Sequence, residues 1–191
     1  MNTAATLIRS ARNAAGLTQH GVATRTGIAQ SNVARAESGT RDVSSATVER
    51  LVRASGYRLT VLPGTGLDAM SAAGHVTSAL ADGNEDRAYR FVIQLADDLE
   101  ALHGAERVAA CVAPAAPTGD ARFDAFIAGV VETRLEAQAL PHPVWLQSVE
   151  PLATPWWVDR YTAGSDWVTE ATPPPLRRLG VLIDAAELTS A

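Results

Sequence analysis

The sequence contains no lysine: all sixteen of its basic residues are arginine, set against 21 acidic residues for a net charge of −5 over 191 residues. Such exclusive use of arginine reads as codon usage more than as a choice of bidentate contacts. The single cysteine, Cys111, excludes an internal disulfide and leaves no second thiol for a metal site. Lying among alanines and valines, it reads as a small core residue. No apolar run approaches the roughly 18 residues of a membrane helix, and no basic start leads into an apolar stretch with a small-residue cleavage site. The expectation is a cytoplasmic protein without a membrane partner. His20, His75, His103 and His142 are scattered, and neither a His-Glu-x-x-His arrangement, a Gly-rich phosphate loop nor a nucleophile elbow occurs. His103, Glu106 and Arg107 share one stretch and read as exposed polar residues at a helix end. The expectation is therefore no catalytic residue, no metal, no cofactor and no enzyme activity.

What is present is unevenly distributed. Residues 1–62 hold eight arginines against three carboxylates, a net charge of +5, which leaves −10 for the remainder. A basic head on an acidic body suits a protein of which one end meets phosphate and the other does not. Within the head, Leu17, Val22, Ala23, Ile28, Val33 and Ala36 fall at the steps by which two short helices bury one face each. Gly27 is placed to end the first helix in a left-handed conformation, giving a tight turn. Gln30, Ser31, Asn32 and Arg35 then lie on the side away from Val33, and all four side chains bond base edges or phosphates readily. The competing reading of the same periodicity is plain packing in an Ala-rich bundle.

From Leu17 to Gly39, the order Leu-Thr-Gln, Ala, Gly-Ile, Gln-Ser, Arg, Glu and Gly resembles, without a gap, the lambda-repressor-like helix-turn-helix regulators, or XRE family. The resemblance extends over residues 4 to 62. It implies a five-helix-type head, a phosphate contact at Gln19, base contacts at Gln30, Ser31, Asn32 and Arg35, and a structural ion pair between Arg12 and Glu37. Arg41, just past the motif, is placed as a further phosphate contact. Three departures matter: Gly21 replaces a helix-favouring residue, Ala29 the usual Ser or Thr cap of the reading helix, and Ala36 a bulkier aliphatic. A missing cap and a mid-helix glycine each cost about 1 kcal/mol, so a head of below-average stability is expected.

Ser45 is read as capping a helix whose Val48, Leu51, Val52 and Ala54 face the motif, with Gly56 ending it. Residues 57–62 alternate like a strand before Pro63-Gly64. A lone strand lacks a partner in its own domain, so pairing with a second subunit satisfies its backbone; the alternative is that it runs over the second domain. A homodimer is expected in either case, since paired reading helices need half-sites about one DNA turn apart.

The domain reading is 1–62 helix-turn-helix, 63–72 linker, and 73–191 an α-rich (α+β) domain with a Trp/Pro-rich tail, so the fold class is mainly α. Leu67 to Leu80, Glu85 to Leu102 and Asp120 to about Leu140 carry helical spacing. All four tryptophans lie in the last fifty residues, with Trp156 and Trp157 between prolines, and any one of them reads first as closing a core poor in other aromatics. Leu176 to Leu188 reads as a basic hinge at Arg177 and Arg178, a short strand, and a turn capped by Asp184. More loosely than the head, this tail resembles regulators that act as antitoxins of nucleotidyltransferase-type toxins. That resemblance implies autoregulation of a shared operon and partner binding through Trp156, Trp157, Arg177 and Arg178. The rival is a ligand-responsive repressor whose body holds a small molecule.

Overall fold

The computed structural model describes residues 3–40, 42–59 and 66–189. It divides into two compact units, Met1–Val61 and Leu62–Ala191. The fold is mainly α, and no helix among the described residues is long and apolar enough to cross a membrane.

Unit 1 carries four helices among its described residues rather than five: α1 (Thr3–Ala14), α2 (Gln19–Thr26), α3 (Gln30–Ser38) and α4 (Ser45–Ala54). Their shared core is small, built from Ile8, Val22, Val33, Leu51, Val52 and a few alanines. Leu17 and Ile28 lie at its rim, half-buried. Ser44, one residue before the position read as the cap, caps α4 by accepting from the Thr47 N–H at 3.3 Å. Beyond Gly56 the Tyr57 N–H bonds back to the Val52 carbonyl at 3.2 Å. The expected strand is absent from residues 57–59, since this backbone is drawn into closing α4; residues 60–62 lie outside the described residues.

Unit 2 holds α5 (Ala69–Ala81), α6 (Glu85–Ala101), α7 (Gly104–Val112), α8 (Ala121–Glu136), α9 (Asp166–Ala171) and α10 (Pro174–Arg178). Its two-residue strands β1 (Trp156–Trp157) and β2 (Val181–Leu182) pair in parallel, with Trp156 opposite Val181. Helix α5 starts inside the stretch read as linker. The cause is a capping box: the Ser71 N–H donates to Asp68 Oδ1 at 2.7 Å while the Asp68 N–H donates to Ser71 Oγ at 3.0 Å.

The core centres on α8, where every residue from Ala125 to Val131 is buried. Gly129 lets α10 approach: a Cβ there would lie 2.4 Å from Leu176 Cδ2. Helix α8 stops at Glu136 instead of running to Leu140, because the chain turns through Ala139 at φ +50° ahead of Pro141.

Helix α7, not anticipated, corrects the reading of Arg107. Arg107 is 3% exposed, and its guanidinium donates to the carbonyls of Leu102, Arg134 and Glu100 at 2.9, 2.5 and 2.9 Å. It thus satisfies carbonyls at the ends of α6 and α8 that have no partner within their own helices. The supposed basic hinge is also helical, with Arg177 and Arg178 in the last turn of α10.

Candidate nucleic-acid interface

The motif turn is built by its caps. Thr18 Oγ1 accepts from the Gly21 N–H at 3.0 Å to start α2, and Gly27 ends it at φ 67°, its N–H bonding the Ala23 carbonyl at 2.8 Å. Such a left-handed residue carries no Cβ penalty only as glycine. Three residues later α3 begins at Gln30 with no side-chain cap from Ala29, and Gly39 closes it at φ 72°. Burial of Val33 and Ala36 against the core leaves Gln30, Ser31 and Arg35 exposed and Asn32 half-buried.

Glu37 organises the interior side. It is 1% exposed and accepts from Arg12 on both oxygens, Nε to Oε1 at 2.6 Å and Nη2 to Oε2 at 3.0 Å. Arg12 Nη1 also reaches the Leu17 carbonyl at 2.8 Å, tying α1 to the entry of α2. Gln19 Nε2 donates to Glu37 Oε2 at 3.0 Å. Because a carboxylate only accepts, Gln19 must turn its NH₂ inward and its carbonyl outward. That carbonyl accepts from Gln30 Nε2 at 2.9 Å. A continuous chain of bonds therefore runs from a buried ion pair to the first residue of α3. Gln30 keeps its own Oε1 and a second N–H, the acceptor and donor that match the N6/N7 edge of adenine.

The head's arginines divide by partner. Arg12 pairs with Glu37, Arg9 donates to the Glu37 carbonyl, Arg25 Nη1 donates to the Ala54 carbonyl at 3.0 Å, Arg50 donates to the Thr26 carbonyl, and Arg53 pairs with Glu49. The Arg35 side chain is exposed on α3 with no such partner among the described residues. Arg41 lies outside them.

Three of the four residues read as partner-binding, Trp156, Arg177 and Arg178, have side-chain partners within unit 2. Trp156 packs on Phe123 and Phe126, ring centroids 5.5 and 5.9 Å away, and Arg122 lies 5.4 Å over its ring. The Trp157 indole N–H is buried without an acceptor among the described residues. Arg178 pairs with Glu132, and Arg177 Nη1 reaches the Thr169 carbonyl at 3.4 Å. Two aromatics of unit 2 that were not read as partner-binding are exposed, Tyr161 at 83% and Trp167 at 52%. Residue type alone does not separate an aromatic that closes a core from one left in solvent.

Cys111 is fully buried, its thiol pushed up to about 12 by burial, and Trp145 Nε1 donates to its carbonyl at 2.9 Å. Among the described residues no group of three His, Cys, Asp or Glu side chains is placed to hold a metal ion.

A family model described as a helix-turn-helix domain matches residues 4–60. No curated protein and no solved structure matches the chain. The caps, the turn and this match define the class: a DNA-binding regulator with an N-terminal helix-turn-helix domain. The matched stretch ends within unit 1.

Proposed function

We propose that this protein is a sequence-specific transcriptional repressor of the XRE type that binds its operator as a homodimer. The observation that carries the reading is the chain Arg12–Glu37–Gln19–Gln30, which fixes one amide at the exposed start of α3 while Arg35 stands free one turn on. Gln30 and Arg35 then read base edges, Ser31 and Asn32 lie beside them, and Gln19 supports Gln30 close to the phosphate contact its position implies. Paired heads bound to half-sites one DNA turn apart account for the homodimer.

We further propose that unit 2 neutralises a toxin encoded beside it, in the manner of antitoxins to nucleotidyltransferase-type toxins. Support comes from the resemblance of the tail and from the net charge of −10 after residue 62, which favours encounter with a basic partner. Tyr161, with Arg160 stacked 5.0 Å over its ring, and Trp167 are of the residue types that anchor interfaces. Co-expression with the neighbouring gene product followed by affinity capture tests this: a complex weakened by Trp167→Ala and Tyr161→Ala is expected, and no complex contradicts it.

A second reading, a ligand-responsive repressor, is favoured by the open cavities of unit 2, one of about 440 Å³ lined by Trp145 and Pro114 to Pro117 and another of about 270 Å³. Under that reading a metabolite, and no protein, shifts the melting of unit 2.

A further inference from the structure

The smaller cavity has an unusual lining. Tyr89, Phe123, Trp156 and Val158 form its apolar side, and Glu85, Asp86, Asp159 and Glu187 surround it. Four elements meet there: α6 supplies Glu85, Asp86 and Tyr89, α8 supplies Phe123, the β1 segment supplies Trp156, Val158 and Asp159, and the C-terminal turn supplies Glu187. Arg122 is the basic group at its edge. It is bound to Asp120 at 2.6 Å and to Glu85 at 2.9 Å, with its guanidinium 5.4 Å over Trp156 and 5.9 Å over Phe123. The chain therefore already lays one guanidinium on this aromatic wall.

Asp86, Asp159 and Glu187 are left without a basic partner among the described residues. Asp159 Oδ1 accepts only from the Tyr161 N–H, at 2.9 Å. Burial, then Asp159 and Asp184, hold the Glu187 carboxyl above its usual range, and burial, then Glu187 and Asp159, do the same to the Tyr89 phenol. Uncompensated negative charge beside aromatic faces in a concave site is complementary to an organic cation, which gains from both the carboxylates and the ring quadrupoles. The carboxylates border the cavity without converging on a point that would hold a metal ion.

We propose that the cavity between Tyr89, Trp156, Asp159 and Glu187 is a binding site for a guanidinium or alkylammonium group. Trp156 and Tyr89 contact the apolar stem and the flat face of the cation, while Asp159 and Glu187 accept its N–H bonds. The cavity, about 270 Å³ and open to solvent, has room for such a group with a short alkyl chain.

Calorimetric titration of the full chain with butylguanidinium, and with neutral butylurea of similar shape, tests the site. Saturable binding of butylguanidinium at least tenfold tighter than butylurea is expected. Glu187→Gln and Asp159→Asn should each weaken it several-fold, and Glu136→Gln, outside the cavity, should leave it unchanged. Unchanged circular dichroism in the two polar variants separates a lost contact from a lost fold. A blocked Gly-Arg-Gly peptide binding as tightly as butylguanidinium assigns the group to a protein side chain, and weaker binding assigns it to a free small molecule. Equal affinity for butylurea, no binding, or indifference to both cavity variants overturns the proposal. The titration contains neither DNA nor toxin, so its failure leaves the operator reading standing, and loss of operator binding leaves the cavity standing.

Discussion

Glu37 shows how one side chain ties stability to recognition. A fully buried carboxylate persists only with its acceptor positions filled, here by Arg12 and Gln19, and removing it leaves the largely covered Arg12 guanidinium without a counter-charge and the Gln19 N–H without its acceptor. Glu37→Ala is therefore expected to destabilise unit 1 by about 3–5 kcal/mol in urea denaturation. In the operator complex proposed above, Gln19 would act through Gln30 as well as by its own position. The losses in operator binding from Gln19→Ala and Gln30→Ala should fail to add, with a coupling of about 0.5–3 kcal/mol in a double-mutant cycle; strict additivity would show that their hydrogen bond does not operate on DNA. Glu187 offers a test by pH. Its folded pKa lies above the ordinary carboxylate value, so keeping it ionised opposes folding. This penalty is absent below the unfolded pKa and fully present above the folded one. Glu187→Gln should consequently raise the melting temperature of unit 2 near neutral pH and lose that advantage as the pH falls below 4.

At the scale of elements, the reading helix lacks a cap and its partner helix carries a glycine. Ala29 has extended dihedrals, φ −57° and ψ 137°, and no side-chain acceptor. Ala29→Ser should supply that acceptor and stabilise unit 1 by about 0.5–1 kcal/mol. A Cβ at Gly21 would meet Thr18 Oγ1 and Leu17 Cδ2 at ordinary contact distances of 3.5 and 3.8 Å, so Gly21→Ala should add about 0.5–1 kcal/mol. Gly129→Ala should do the reverse in unit 2, since its Cβ overlaps Leu176 and α10 would have to move off α8. Helix-scale periodicity made α2, α3, α5, α6 and α8 legible in the sequence, because each has an apolar face or a cap of its own. It failed at α7, α9 and α10. Helix α7 is short and carries a buried arginine that satisfies carbonyls distant in sequence, and α10 is five residues long and starts in a proline run. The strand expected over residues 57–62 does not form at 57–59 for a related reason: alternation measures a residue's preference for a strand, while the Tyr57 N–H bonds the helix before it.

At the scale of the molecule, the two units differ in charge as well as in fold. The positions of Gln30 and Arg35 were readable from the motif. The bonds that aim Gln30 were not, because they depend on contacts between residues far apart in sequence, whereas core closure by a tryptophan, as at Trp156, was an expectation of the sequence alone. A basic first unit and an acidic remainder predict binding that weakens steeply with salt, from the release of counterions at each phosphate contact. Arg35→Ala should lower affinity by about 1–3 kcal/mol at one base position and relax selectivity there. The most direct measurement is binding of the full chain, at moderate salt, to the promoter of its own gene and to unrelated duplex of equal length, with and without the neighbouring gene product. A clear preference for the promoter, diminished in Gln30→Ala and Arg35→Ala, is the predicted result. Equal affinity for both duplexes, unaltered by the neighbouring gene product, would contradict the account.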